Sequence, residues 1–301
     1  MAGSSALPPV RSISLPSRLQ PTSVKIEDEL DKLKAWQASS VSATEAIGAD
    51  TIQKGLVGLP ELYTRVVELI SAPLTQQALI RHQDEKVVEE ALDCSVTLLD
   101  TCGTARDMLS LMKEHLQHLQ SALRRRAAES SIECSIGAYI TFKKKAKKDI
   151  SKCIRALKQM ESKTGSFPVL VLDDHLSMVV RLPREVSTIA ICVFRSLLLF
   201  LSMPVMKSKL GGWSLISKLM PTGLAVHEKR QKMINEVGSV DVALCALYGH
   251  VQNNGVKAEF QLVQRKMEIL AAGMDSLEAG LDFVFRRLIQ YRVSLLTVLT
   301  N

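Results

Sequence analysis

Residues 84–126 read DEKVVEEALDCSVTLLDTCGTARDMLSLMKEHLQHLQSALRRR. Val88, Leu92, Ser95, Leu99 and Cys102 stand four, three, four and three positions apart, and Leu109, Met112, Leu116, Leu119 and Leu123 carry the same rhythm onward. A repeat of about 3.5 residues, against the natural 3.6, draws an apolar seam that drifts slowly round a helix. Such a seam has to be covered by other helices. The stretch therefore predicts a long amphipathic helix within an all-α protein. Gly103 weakens that helix by about 1 kcal/mol relative to Ala, and marks either a close helix contact or a bend.

The segments on either side agree. Tyr139, Phe142, Ala146, Ile150, Cys153, Leu157 and Met160 form one stripe of a helix over about 131–162. At about 100° per residue, Lys144, Lys148, Lys152 and Arg155 fall on its opposite side. Upstream, small or apolar residues at 26, 30, 33, 36, 40, 43 and 47 predict a helix that starts near Thr22 and Ser23. Both hydroxyls suit an N-cap, and Glu27 and Asp28 suit the positive end of the helix dipole. Ile52, Leu56, Leu59, Tyr63, Val66 and Ile70 predict a second helix over 51–70, with Pro60 expected to kink or break it near Leu59. Ser71, Ala72 and Pro73 read as a turn.

Downstream, VLVLDDH at 169–175 looks strand-like but has no second strand to pair with. It reads as an extended linker or the start of a helix. An apolar helix is expected over 184–203, stopped at Pro204. Two or three C-terminal helices follow: one over 226–250, interrupted at Gly238, and a long one over 256–299. The expected fold is an elongated bundle of about six to eight helices, preceded by a disordered N-terminal tail at 1–21. Residues 22–301 are expected to form one domain. The loop at 205–226, with Gly211, Gly212, Pro221 and Gly223, is the one place for a subdivision. No repeat of 30–50 residues marks a solenoid.

Composition fits that picture. The hydrophobic fraction of 47% and charged fraction of 23% belong to a folded chain, and aromatics at 4% are too few for a β-sandwich. The net charge is +7, and it is local. Residues 124–158 hold 11 Lys or Arg against 3 Asp or Glu, so the rest of the chain is close to neutral. Six cysteines without a C-x-x-C pair fall in helical patterns. They read as free thiols in a reducing, intracellular compartment, with the cytoplasm expected first. No secretory signal is visible in residues 1–23. Their Ser- and Pro-rich, acid-free composition leaves plastid import open. The stretch VSTIAICVFRSLLLFLSM at 186–203 has Arg195 at its centre, which costs about 2.5 to 3.5 kcal/mol in a membrane. It reads as a buried core helix in preference to a membrane span.

Catalytic signatures are missing: no G-x-G-x-x-G, P-loop, G-x-S-x-G or H-E-x-x-H occurs. His115 and His118 share a helix face but lack a third metal ligand, and Asp173, Asp174 and His175 read as a short acidic loop. No enzyme activity, cofactor or metal is expected. Two features are left for function. The lysines 143, 144, 145, 147 and 148 form a candidate anionic contact. Its readings are an anionic membrane surface, nucleic acid phosphates, a nuclear import signal, or a plain solvated helix face. No aromatic residue interleaves on the basic side, which counts against nucleic acid. In the tail, Arg11, Ser14 and Pro16 fit R-S-x-S-x-P. Phosphorylated Ser14 would suit the arginine cluster of a 14-3-3 adaptor.

Four blocks together carry a family resemblance: RSISLPSRLQPT at 11–22, GLPELYTRV at 58–66, LDCSVTLLDTCGTARDML at 92–109 and FRRLIQYRVSLLTVLTN at 285–301. In this order they resemble a plant-specific family of unknown function grouped with the BYPASS-related proteins. The resemblance implies a helical protein without assigned enzymatic activity, connected with root and shoot development. The expectation is a non-enzymatic interaction or scaffold protein that meets protein partners through its helical surfaces and tail. The alternative is a peripheral membrane protein that binds anionic lipid through its basic helix.

Overall fold

The computed structural model describes residues 21–42, 46–81, 85–125, 129–164, 174–202, 234–250 and 257–300. Among them the chain forms eight helices and no strand. They are α1 (Pro21–Ser42), α2 (Ala49–Ser71), α3 (Pro73–Arg81), α4 (Glu85–Arg124), α5 (Glu129–Thr164), α6 (Asp174–Leu201), α7 (Glu236–His250) and α8 (Lys257–Thr300). The tail at 1–20 and the loop proposed at 205–226 lie outside the described residues.

The seam at 84–126 becomes α4, a helix of 40 residues. At 1.5 Å per residue it is about 60 Å long. It lies antiparallel to α8, as their ties show. Arg292 Nη1 donates to the Leu92 carbonyl at 3.0 Å and to Ser95 Oγ at 3.1 Å. Arg106 meets Asp282 at 2.9 Å, and Lys113 meets Asp275 at 2.5 Å and Glu278 at 2.7 Å. Leu98, Cys102, Ala105, Leu109, Met112, Leu116 and Leu119 are buried along the seam. Gly103 makes neither a close contact nor a break: a Cβ there would meet nothing within 4 Å, and the helix runs on.

α8 sits at the hub, packed against α2, α4 and α7. It approaches α2 closely because Gly273 lacks a side chain. A Cβ at Gly273 would stand 2.9 Å from Ala49 Cβ. α1 lies over α2, and Trp36 Nε1 donates to the Thr51 carbonyl at 2.7 Å. Two cations clip α1 to α6: Lys34 reaches Glu185 at 2.6 Å, and Arg181 reaches Glu27 at 2.6 Å and Glu185 at 2.7 Å. α5 is an edge helix, packed chiefly on α4 and α6. The buried residues of these helices join in one core cluster.

Several expectations need correction. α2 continues unbroken through Pro60, and Thr64 Oγ1 donates to the Pro60 carbonyl at 2.7 Å. The burial of Leu56, Leu59, Leu62 and Tyr63 on both sides outweighs the hydrogen bond that proline removes. The turn at 71–73 is the entry to α3. Ala72 is extended (φ −66°, ψ 133°), as a residue before proline prefers, and Pro73 starts the helix, where a missing N–H costs nothing. α6 begins at Asp174, ten residues before the expected start, and runs through Pro183. Asp174 and His175 therefore open a helix rather than sit in a loop. α7 begins at Glu236 and is not interrupted at Gly238, while residues 226–233 of the expected helix lie outside the described residues. Asn235 caps it, accepting from the Gly238 N–H at 2.9 Å while its Nδ2 donates to the Phe200 carbonyl at 3.0 Å.

Residues 186–201 of the apolar stretch lie in a core helix, as read. Val186, Ile189, Ala190, Ile191, Val193, Phe194, Leu197 and Leu198 are all buried. Arg195 reaches the rim and pairs with Glu161 at 3.5 Å. Among the described residues no helix is long and apolar enough to cross a membrane. All six cysteines are free thiols. Burial pushes Cys94 up to about 11 and Cys102 up to about 12, so both stay protonated.

Candidate functional site

The outward side of α5 is a strip of cations. Lys144, Lys145, Lys147, Lys148, Lys152, Arg155 and Lys158 are exposed. From Lys144 to Lys158 the strip spans about 21 Å of helix. The inward side explains the arrangement: Ile136, Tyr139, Phe142, Ala146, Ile150 and Leu157 are buried against α4 and α6. Everything one half-turn away must face water. Lys152 meets Asp149 at 3.3 Å within the helix. Among the described residues, Lys144, Lys145, Lys147 and Lys148 form no ion pair. These four neighbouring positive charges thus have no ion-pair partner among the described residues, an arrangement that attracts anions.

Lys143 does not belong to this strip. It is 5% exposed, and its Nζ pairs with Asp241 Oδ2 of α7. The Tyr139 hydroxyl donates to Asp241 Oδ1 at 2.9 Å, so both carboxylate oxygens are engaged. Burial pushes the Lys143 ammonium below its ordinary value and the Asp241 carboxyl above its own, while their mutual attraction opposes both shifts. The candidate contact thus loses one of its five lysines. The reason is helical spacing: Lys143 is four residues from Tyr139 and three from Ala146, both on the buried stripe.

With the fold and this face described, comparison places the chain. The family model for Protein BPS1 matches residues 55–298, about four-fifths of its length. The chain belongs to the Protein BPS1 family. This agrees with the resemblance to the BYPASS-related group. No curated protein and no solved structure matches it. The BPS1 match runs from Gly55 in α2 to Val298 in the last turn of α8, and so takes in α5 and its partner Asp241. The block at 11–22 lies outside it.

Ser14, with Arg11 and Pro16, lies outside the described residues. The ring of His115 packs on Phe142 with centroids 4.8 Å apart, and burial pushes its pKa below the ordinary value. Among the described residues no group of three metal-ligating side chains comes together, with or without His118. The outer side of α8 exposes Leu262, Ile269, Phe283, Val293 and Leu296. Leu262, Ile269 and Phe283 stand at multiples of seven and so share one side of the helix.

A feature that sequence reasoning missed lies between α2, α3, α4, α6 and α8. A cavity of about 40 Å³ opens there beside Glu90, Arg184, Ser187 and Tyr291. Arg184 Nη2 donates to Glu90 Oε2 at 2.9 Å. Tyr291 is 1% exposed, and its ring tilts against Tyr63 at a centroid distance of 5.4 Å. The sequence places Tyr291 only within a long C-terminal helix, because its neighbours across the cavity are far away in the chain.

Proposed function

We propose that this BPS1-family protein is a non-enzymatic interaction protein of plant root and shoot development. Its α5 strip docks an acidic segment of a partner protein. The developmental setting comes from the resemblance to the BYPASS-related group. The observation that carries the docking surface is the set of four exposed lysines on an edge helix, Lys144, Lys145, Lys147 and Lys148, that form no ion pair among the described residues.

An acidic protein fits this surface better than a membrane. A helix that lies in a bilayer interface couples its cations to aromatic or aliphatic anchors. α5 has no exposed large apolar side chain. Of the apolar residues described in 186–203 all but Leu199 are buried in the core, and one exposed leucine supplies no wedge. The exposed apolar row of α8 supports a protein partner too, since such rows on rigid helices mark contact surfaces. The tail adds a second contact in this reading. Phosphorylated Ser14, with Arg11 and Pro16, recruits a 14-3-3 adaptor. Replacing Ser14 with Ala abolishes that recruitment in a pull-down of phosphorylated protein.

The strip is tested by titrating the full chain with polyglutamate and with phosphatidylserine vesicles, each at low and high salt. A variant carries Lys144→Gln, Lys145→Gln, Lys147→Gln and Lys148→Gln and leaves Lys143 intact. Polyglutamate binding is expected to be salt-sensitive and to weaken about tenfold or more in the variant. Equal binding by the variant rejects the strip. Binding to vesicles without binding to polyglutamate rejects the protein partner in favour of a lipid surface.

A further inference from the structure

The cavity beside Tyr291 has apolar walls and a polar end. Ile70, Leu79, Val88, Val179, Val180 and Leu295 make the walls. At about 40 Å³ it has room for two or three atoms of the size of a water oxygen, and it opens to solvent. Glu90 Oε1 and the Tyr291 hydroxyl, both on lining residues, are buried without a hydrogen-bond partner among the described residues. Arg184 holds Glu90 by the other oxygen, Oε2, and leaves Oε1. Burial pushes the Tyr291 hydroxyl far above the ordinary tyrosine range, with the nearby Cys94 and Glu90 adding to the effect. It therefore keeps its proton and serves as a donor.

These two atoms select a chemistry. A carboxylate oxygen accepts and cannot donate. The phenol of Tyr291 donates. A single hydroxyl group answers both, donating to Glu90 Oε1 and accepting from Tyr291. A carboxylate would face Glu90, an ammonium would face Arg184, and a ketone would leave Glu90 without a donor. The walls require hydrocarbon behind that hydroxyl.

We propose that this cavity is a binding site for a neutral aliphatic alcohol, whose hydroxyl enters between Glu90 and Tyr291 and whose hydrocarbon body leaves along Val180 and Leu79. The site is separate from the α5 strip and does not depend on it. An unpartnered buried hydroxyl is costly to a fold, and a ligand that satisfies it recovers that cost. Tyr291 is thus held for binding at the expense of the empty protein.

The full chain is titrated with 1-octanol, and with octanoate and octylamine as head-group controls. Thermal melting and isothermal titration are the readouts. Octanol is expected to bind and raise the melting temperature, whereas octanoate and octylamine bind at least tenfold more weakly. Tyr291→Phe is expected to melt at or above the wild type when empty, yet to bind octanol about five- to tenfold more weakly. Tyr63→Phe, which removes the hydroxyl of a neighbouring tyrosine that does not line the cavity, leaves octanol binding unchanged. Should Tyr291→Phe fold poorly, Ala91→Leu decides, because its longer side chain fills the lining and must abolish binding. The proposal fails if octanol gives no shift up to its solubility, which leaves water as the occupant. It fails equally if octanoate binds as well as octanol, or if Tyr291→Phe or Ala91→Leu binds octanol as tightly as the wild type.

Discussion

Lys143 and Lys144 are neighbours in the chain and sit in opposite media. Lys143 points inward, almost without solvent, and is held by Asp241 and the Tyr139 hydroxyl. Lys144, with Lys145, Lys147 and Lys148, stands in water and pairs with nothing among the described residues. The same residue type therefore serves two purposes on one helix. Inside, it fixes where α7 docks. Outside, it offers charge to something else. The difference follows from position on the helix and from what lies opposite. A run of lysines cannot be read as one surface.

The largest effect should come from breaking the inner pair. Lys143→Met leaves Asp241 and its charge buried, and is expected to cost about 3–5 kcal/mol in urea unfolding. The double replacement Lys143→Met with Asp241→Leu should recover most of that loss, because no buried charge remains. A double variant as unstable as the single one would mean that the pair is not what Lys143 contributes. The same inside-outside contrast applies to glycine. Gly273→Ala forces a Cβ against Ala49 across the α2–α8 contact and should cost about 1–3 kcal/mol. Gly103→Ala meets open space on α4 and should stabilise by about 0.5–1 kcal/mol.

A smaller effect concerns acid. Glu185 is partly buried, which raises its pKa, but Lys34 and Arg181 outweigh that and hold the carboxyl below the ordinary value of 4.5. A carboxylate with a lowered folded pKa contributes stability above the unfolded value. That contribution is lost as pH falls from there through the folded pKa. Protection factors for hydrogen exchange in α1, taken against the intrinsic rate at each pH, should therefore fall on acidification below about pH 4.5, and Glu185→Gln should remove that fall. Changing Lys144, Lys145, Lys147 and Lys148 to Gln should alter stability by no more than about 0.5 kcal/mol.

Much of the fold was legible in the chain. The 3.5-residue seam gives α4 within two residues at each end, and the stripe through Tyr139 and Phe142 gives α5. The break expected at Pro60 does not occur, because apolar residues on either side of it pack into the core and carry α2 through. α3 was missed because Pro73 reads equally as a turn residue and as the first residue of a helix. The strip on α5 was legible as charge, but its boundary was not. Lys143 stands on the buried stripe by spacing, and its partner Asp241 lies 98 residues away. No local pattern announces such a pair. The cavity was invisible for the same reason, as Glu90, Arg184 and Tyr291 meet only through the packing of α4, α6 and α8.

Lysine labelling read by mass spectrometry, with and without polyglutamate, tests the contrast most directly. The protein is treated briefly with an amine-reactive acetylating reagent at neutral pH. Lys143 should remain unlabelled under native conditions, while Lys144, Lys145, Lys147 and Lys148 label freely. Polyglutamate at low salt should protect those four, and high salt should remove the protection. Labelling of Lys143 at the rate of its neighbours would contradict the inner pair. Equal labelling of the four with and without polyglutamate would contradict the acidic docking surface.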